Sequence, residues 1–235
     1  MLDVARDAQK TGLSGLSSST PVMLAGYSQG GEATAAASEL AASYTPELNV
    51  LGAYAGAVPA DLGAVAKFLD GGFYNAFLMS AVSGVTNAYN IDISEYANAA
   101  GMAALAKNNS LCTLSQIPQA AFQDTSKYTK SGQKLSQLIA STPELRKIVD
   151  EQTIGRMAPK KFPVLIAQSE LDDVIPAGQA RDFARQWCQG GATVQYASSL
   201  TSTHVAAAVR FQPEMFSFLS ARAAGLPSIN NCGGF

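Results

Sequence analysis

Apolar and polar residues run along this chain in two rhythms. Short, nearly uninterrupted apolar runs bounded by turn residues occur at 21–25 (PVMLA), 48–59 (LNVLGAYAGAVP) and 162–170 (FPVLIAQSE). Their length and boundaries predict buried strands. A fourth run, 192–199 (ATVQYASS), alternates and predicts a further strand. Elsewhere the spacing is helical. Leu2, Val4, Ala5, Ala8 and Leu13 recur at helical intervals over 1–13, and GGEATAAASELAASY predicts a helix that begins at Ser28. Helices are also predicted over 177–189 and 206–224. Strand–helix–strand repetition of this kind predicts a mostly parallel sheet of the α/β class.

Between the second and third strands no run reads as a strand. Helical patterns fill the interval: NAFLMSAVSGVTNAY, ISEYANAAGMAALAK, KSGQKLSQLIA and STPELRKIVDEQ. The last has a clear start, with Ser141 or Thr142 as N-cap, Pro143 in the first turn and Glu144 near the positive end. The chain is expected to divide into residues 1–62, the N-terminal part of an α/β core; 63–160, a helical insertion; and 161–235, the C-terminal part of the core. An insertion at this point emerges over the C-terminal ends of the strands, where ligands bind, so it is expected to serve as a cap or lid, the alternative being an ordinary helical subdomain with no gating role.

Composition narrows the possibilities. The 235 residues are 47% hydrophobic and 14% charged, enough for one sizeable core. A net charge of -2 and a pI of about 5.4 give no reason to expect nucleic acid or an anionic membrane as partner. No apolar run reaches the ~18 residues of a membrane span. Residues 1–13 carry early acidic side chains and no apolar stretch of the signal-peptide kind, so either the protein is cytosolic or its start lies upstream of Met1. The three cysteines, Cys112, Cys188 and Cys232, are an odd set that leaves at least one unpaired. None has metal-site spacing, and no metal or cofactor is expected.

The candidate chemistry sits directly after the first strand. Residues 26–31 read GYSQGG, which contains Gly-x-Ser-x-Gly between a predicted strand and a predicted helix. In that context the pentapeptide is a nucleophile elbow, a turn sharp enough to strain the serine backbone and to exclude side chains at both flanking glycines. By chance roughly one chain of this composition in six would contain it, so its context decides. A serine hydroxyl needs an imidazole to accept its proton, and the imidazole needs a carboxylate to hold its tautomer. His204 is the only histidine, on the loop after the last predicted strand. LIAQSELDDVIP, after the preceding strand, offers Glu170, Asp172 and Asp173. Asp172 is preferred because Asp-x-x-Val/Ile-Pro recurs at this place in α/β-hydrolases. Asp173 stays open as the alternative, and Glu170 is a weaker one.

Taken together, GYSQGG, the helical insertion, FPVLIAQSELDDVIPAGQARDFARQWCQGGATVQYASSLTSTH and the tail FLSARAAGLPSINNC resemble the secretory lipase family of fungi and actinobacteria, the Candida-type lipase A-like α/β-hydrolases. Asp172, Cys188 and His204 fall at equal intervals, as that family's pattern requires. The resemblance implies an α/β-hydrolase core with a large helical cap. It also implies Ser28 as nucleophile, Asp172 as orienting acid, His204 as base and the Gln29 N–H as one oxyanion donor. Cys188 and Cys232 would form a disulfide, while Cys112 would correspond to a cysteine whose partner lies in an N-terminal part. Only 27 residues precede Ser28, whereas the family places several strands and the other oxyanion donor before the elbow. The chain is therefore expected to be a C-terminal fragment or a late-started gene model, of reduced activity.

The implied function is a secreted, monomeric serine carboxylic ester hydrolase acting on acylglycerols or other lipid esters, including at a lipid–water interface. The alternatives are an acyltransferase on the same triad, a serine peptidase, or a non-catalytic module of the same fold. In the insertion, Phe73, Phe77, Leu78 and Met79 suit either an acyl-chain tunnel or, for any one of them, simple packing.

Overall fold

The computed structural model describes residues 1–235, except that the Leu13 side chain, part of the helical pattern noted above, lies outside the described residues. Two compact units emerge: residues 1–60 with 153–235, and residues 61–152.

The first unit is built on four parallel strands in spatial order β1-β2-β3-β4: β1 (Val22–Tyr27), β2 (Val50–Gly56), β3 (Val164–Ser169) and β4 (Val194–Ser199). Side-chain alternation sends neighbouring residues to opposite faces. Ala53, Ala55, Val164 and Ile166 point into one core, shared with α1 (Leu2–Lys10), α2 (Gln29–Tyr44) and α9 (Ala177–Gln189). Tyr54, Leu165 and Ala167 point into another, closed by α10 (His204–Arg210) and α11 (Gln212–Ala223). Both faces of β3 are covered, and all six of its residues are buried. That is why its sequence is a continuous apolar run rather than an alternating one.

Three expectations need correction. The strand at 21–25 is not buried: β1 lies at the edge of the sheet, Leu24 alone is buried in it, and Met23 is 41% exposed. The helix expected over 206–224 is two helices that meet at Phe211. Pro213 accounts for the break, because it lacks an N–H and its ring clashes with the carbonyl four residues earlier, so it is accepted only in a first turn. The first helix stops at Lys10 instead of residue 13, where Thr11 caps it and Gly12 turns the chain at φ 63°.

The tail is fixed to the last strand. Asn231 pairs with the Tyr196 main chain on both sides, accepting its N–H at 2.8 Å and donating to its carbonyl at 2.9 Å. Cys188, near the end of α9, is bonded to Cys232. Cys112 is free and exposed. Glu39 on α2 accepts from the Trp187 indole at 2.9 Å and from the Gly155 and Met157 N–H groups at 2.8 and 3.2 Å, so one carboxylate ties α2, α9 and the segment leading to β3 together.

The second unit is helical: α3 (Leu62–Leu69), α4 (Asn75–Ala88), α5 (Ala99–Asn109), α6 (Thr113–Ala120), α7 (Leu135–Ser141) and α8 (Pro143–Glu151). The short α3 and α6 had no predicted counterpart. Thr142 is the N-cap of α8, with Pro143 in its first turn. Leu78 and Met79 are buried, whereas Phe73 is 48% exposed and packs edge-on against Tyr74.

Candidate active site

The end of β1 turns into α2 within one residue, and Ser28 is that residue. Its φ of 59° and ψ of -125° lie where side chains rarely go, at a cost of order 1–3 kcal/mol. The turn is held by the Ser28 N–H, which donates to Gly56 O at 2.9 Å, and by Ser28 O, which accepts from the Glu32 N–H at 2.9 Å. Gly26 is obligatory, since a Cβ there would stand 2.0 Å from Gly30 O. The expectation that a side chain at the second flanking glycine, Gly30, would clash is wrong: nothing lies within 4 Å of a Cβ built there. The crowding falls one residue later, where a Cβ on Gly31 would come within 2.2 Å of Gly56 O as α2 packs on β2. Gln29 is the first residue of α2, so its N–H has no acceptor within the helix. Glu32, in the same first turn, is pushed up to about 7 by burial.

His204 and Asp172 meet at the ends of neighbouring strands. The Asp172 side chain is wholly buried and that of His204 nearly so. Nδ1 of the ring lies 2.8 Å from Asp172 Oδ2 and 3.0 Å from Oδ1. Asp172 Oδ1 also accepts the N–H groups of Val174 and Ile175 at 2.9 and 2.8 Å. The carboxylate is thereby locked in its own loop turn. A carboxylate at Nδ1 favours, in a neutral imidazole, the tautomer with its proton on Nδ1 and its lone pair on Nε2.

Of the three carboxylates left open by the sequence, the other two are engaged elsewhere. Asp173 Oδ1 accepts the main-chain N–H of His204 at 2.7 Å, and Glu170 pairs with Arg181 at 2.7 Å. No hydrogen bond joins Ser28 Oγ to the ring, whose bonds go to Asp172. Tyr27, the residue before Ser28, has its ring centroid 5.0 Å from that of His204, and its hydroxyl donates to His204 O at 2.8 Å.

Several contributors were not foreseen. Gln168, wholly buried on β3, donates Nε2 to Ser169 O at 3.0 Å, to Ile175 O at 3.3 Å and to Asp172 Oδ2 at 3.4 Å. Ser169 Oγ donates to Thr201 O at 2.5 Å, which links the acid-bearing loop to the histidine-bearing one. Tyr27 fills a variable position of the pentapeptide, and its partner is a main-chain carbonyl far along the chain. No sequence signal marks such a contact.

A family model described as secretory lipase matches residues 1–231. The chain belongs to the secretory lipase family. Relatives of this secretory lipase chain include a protein named a probable inactive lipase of Mycobacterium tuberculosis (strain CDC 1551 / Oshkosh), 31% identical over 97% of this chain and 51% of that one. A secreted triacylglycerol lipase of Malassezia restricta is 30% identical over 92% of this chain and 47% of its own length. Among solved structures, Candida antarctica lipase A superposes with a TM-score of 0.88 at 25% identity, covering 99% of this chain and 55% of that one. The fold of this family member is accordingly that of an α/β-hydrolase. The chain spans about half the length of the curated relatives it matches. Among the described residues, no helix is long and apolar enough to cross a membrane.

Proposed function

We propose that this chain carries the catalytic triad of a serine hydrolase acting on lipid esters, with Ser28 as nucleophile, His204 as base and Asp172 as orienting acid. One observation carries the reading. The chain's single histidine has its Nδ1 2.8 Å from a buried aspartate, in the same compact unit as a serine held at φ 59° between strand and helix.

In this reading Ser28 Oγ attacks the ester carbonyl carbon and passes its proton to His204 Nε2. Asp172 stabilises the imidazolium and keeps the ring oriented. The carbonyl oxygen becomes an oxyanion that accepts from the Gln29 N–H, which has no acceptor within α2; one such donor is worth about 10²–10³ in turnover. Collapse expels the alcohol, which takes the proton from Nε2, and leaves an acyl-enzyme on Ser28. Water, deprotonated by His204, then attacks the acyl carbon and releases the carboxylic acid. All three side chains come from one copy of the chain, so the chemistry asks for no second subunit. The helical unit is read as the cap, consistent with an insertion between β2 and β3. Family membership and a relative named as a secreted triacylglycerol lipase support lipid esters as the substrate class and the extracellular space as the site of action.

The relative named as a probable inactive lipase supports a second reading, a module that keeps the fold without turnover. A fluorophosphonate probe separates the two. Covalent labelling abolished by Ser28→Ala and by His204→Ala is expected of the hydrolase. Absence of labelling in a folded sample would favour the silent module.

A further inference from the structure

The bond from Asp172 restrains one end of the imidazole, but it does not say what holds the backbone from which the ring projects. His204 begins α10 directly after Thr203, whose φ of 68° and ψ of 142° are strained for a residue with a side chain. Strain of that order persists only where the surroundings enforce it. Two side chains do so here. As the first residue of the helix, His204 has an N–H without an intrahelical acceptor. Asp173 Oδ1 accepts it at 2.7 Å. On the other side of the same residue, His204 O accepts the Tyr27 hydroxyl at 2.8 Å. Burial, with the Asp172 carboxylate nearby, holds the Tyr27 phenol proton well above its ordinary range, so the group remains a donor.

The placement of these two residues gives the contact its meaning. Tyr27 immediately precedes Ser28, and Asp173 immediately follows Asp172. We propose that Asp173 and Tyr27 are positioning residues that clamp the main chain of His204 from both sides and so set the imidazole between the elbow serine and the acid, Asp173 contributing as a hydrogen-bond acceptor and not as a charge. The inference rests on the triad reading above. Through Tyr27 the end of β1 is tied to the base, and through Asp173 the acid loop is tied to it. A base displaced by about 1 Å can cost up to 10²-fold in rate.

The test is the second-order rate of fluorophosphonate labelling of Ser28 in the 235-residue chain, read beside the imidazole N–H signal of the single histidine in a proton–nitrogen NMR spectrum. Asp173→Ala and Tyr27→Phe are expected to slow labelling tenfold or more and to shift or broaden the ring Nδ1–H signal, with the far-ultraviolet circular dichroism unchanged. Asp173→Asn, which keeps an acceptor oxygen, is expected to label within threefold of the parent. A merely structural role would not separate Asn from Ala in this way. If Asp173→Asn falls as far as Asp173→Ala, charge is acting and the clamp is overturned. Should both Tyr27→Phe and Asp173→Ala label like the parent, in a protein whose labelling still needs Ser28 and His204, the clamp is overturned while the triad stands. If the parent itself does not label, the triad reading fails, and the clamp is then decided by whether the two variants move the ring signal. Tyr27→Phe preserves ring volume, so it decides the matter even if Asp173→Ala does not fold.

Discussion

Exchanging Asp172 for asparagine tests the geometry of the site most sharply. Oδ1 of Asp172 is fixed by two loop N–H groups, those of Val174 and Ile175 at 2.9 and 2.8 Å. The amide oxygen of an asparagine would therefore stay on that side, and its NH₂ would take the place of Oδ2, 2.8 Å from His204 Nδ1. Two donors would then face each other in a pocket where the Asp172 side chain has no exposure. The ring can relieve this only by moving its proton to Nε2, which leaves Nδ1 as acceptor and removes the lone pair that would take the Ser28 proton. An equivalent tautomer error in other serine hydrolases costs about 10⁴ in turnover, and 10⁴ corresponds to about 5.5 kcal/mol of barrier. The assay is the rate of fluorophosphonate labelling or of short p-nitrophenyl ester hydrolysis, compared among the parent, Asp172→Asn and Asp173→Asn. A loss of three to four orders of magnitude is expected for Asp172→Asn alone. If Asp172→Asn kept a tenth of the parental rate, or if Asp173→Asn were the more damaged, the acid would not be Asp172.

Three further outcomes follow from the elbow. Gly26→Ala should cost about 2–4 kcal/mol in a denaturant titration, because its Cβ would overlap Gly30 O, whereas Gly30→Ala should be neutral or stabilising by up to about 1 kcal/mol in the same titration. Ser28→Gly should raise stability by about 1 kcal/mol by relieving the strained φ while abolishing labelling; a loss of stability would show that the turn carries no strain. Glu32, raised by burial to about 7, binds its proton more tightly folded than unfolded, so its contribution to stability is full below its unfolded value near pH 4.5 and is lost as pH rises towards 7. Glu32→Gln should flatten that decline, by about 1–2 kcal/mol after discounting for its partial exposure, and parallel pH–stability curves for the two proteins would refute the assignment.

What the sequence determined by itself was whatever depends on neighbours along the chain. The apolar run at 162–170 had to be a strand covered on both faces, the segment 177–189 had to be an amphipathic helix, and a serine between Gly26 and Gly30 after a strand had to mark a tight turn. The break between α10 and α11 at Pro213 was missed, because the apolar spacing runs on past it. The short α3 and α6 escaped notice because eight residues span little more than two turns, too few for a period to stand out. Tertiary structure decided everything that depends on which strand lies beside which. Membership of an edge left Met23 exposed although its run is as apolar as a core strand. The approach of α2 to β2 moved the crowding from Gly30 to Gly31. Which of Asp172 and Asp173, adjacent and chemically identical, faces the ring of His204 depends on the turn after β3, which aims Asp172 at the ring and Asp173 at the main-chain N–H. Local pattern encodes burial and turn chemistry, whereas the direction in which a side chain points at a partner far along the chain is set only when the strands carrying both have paired.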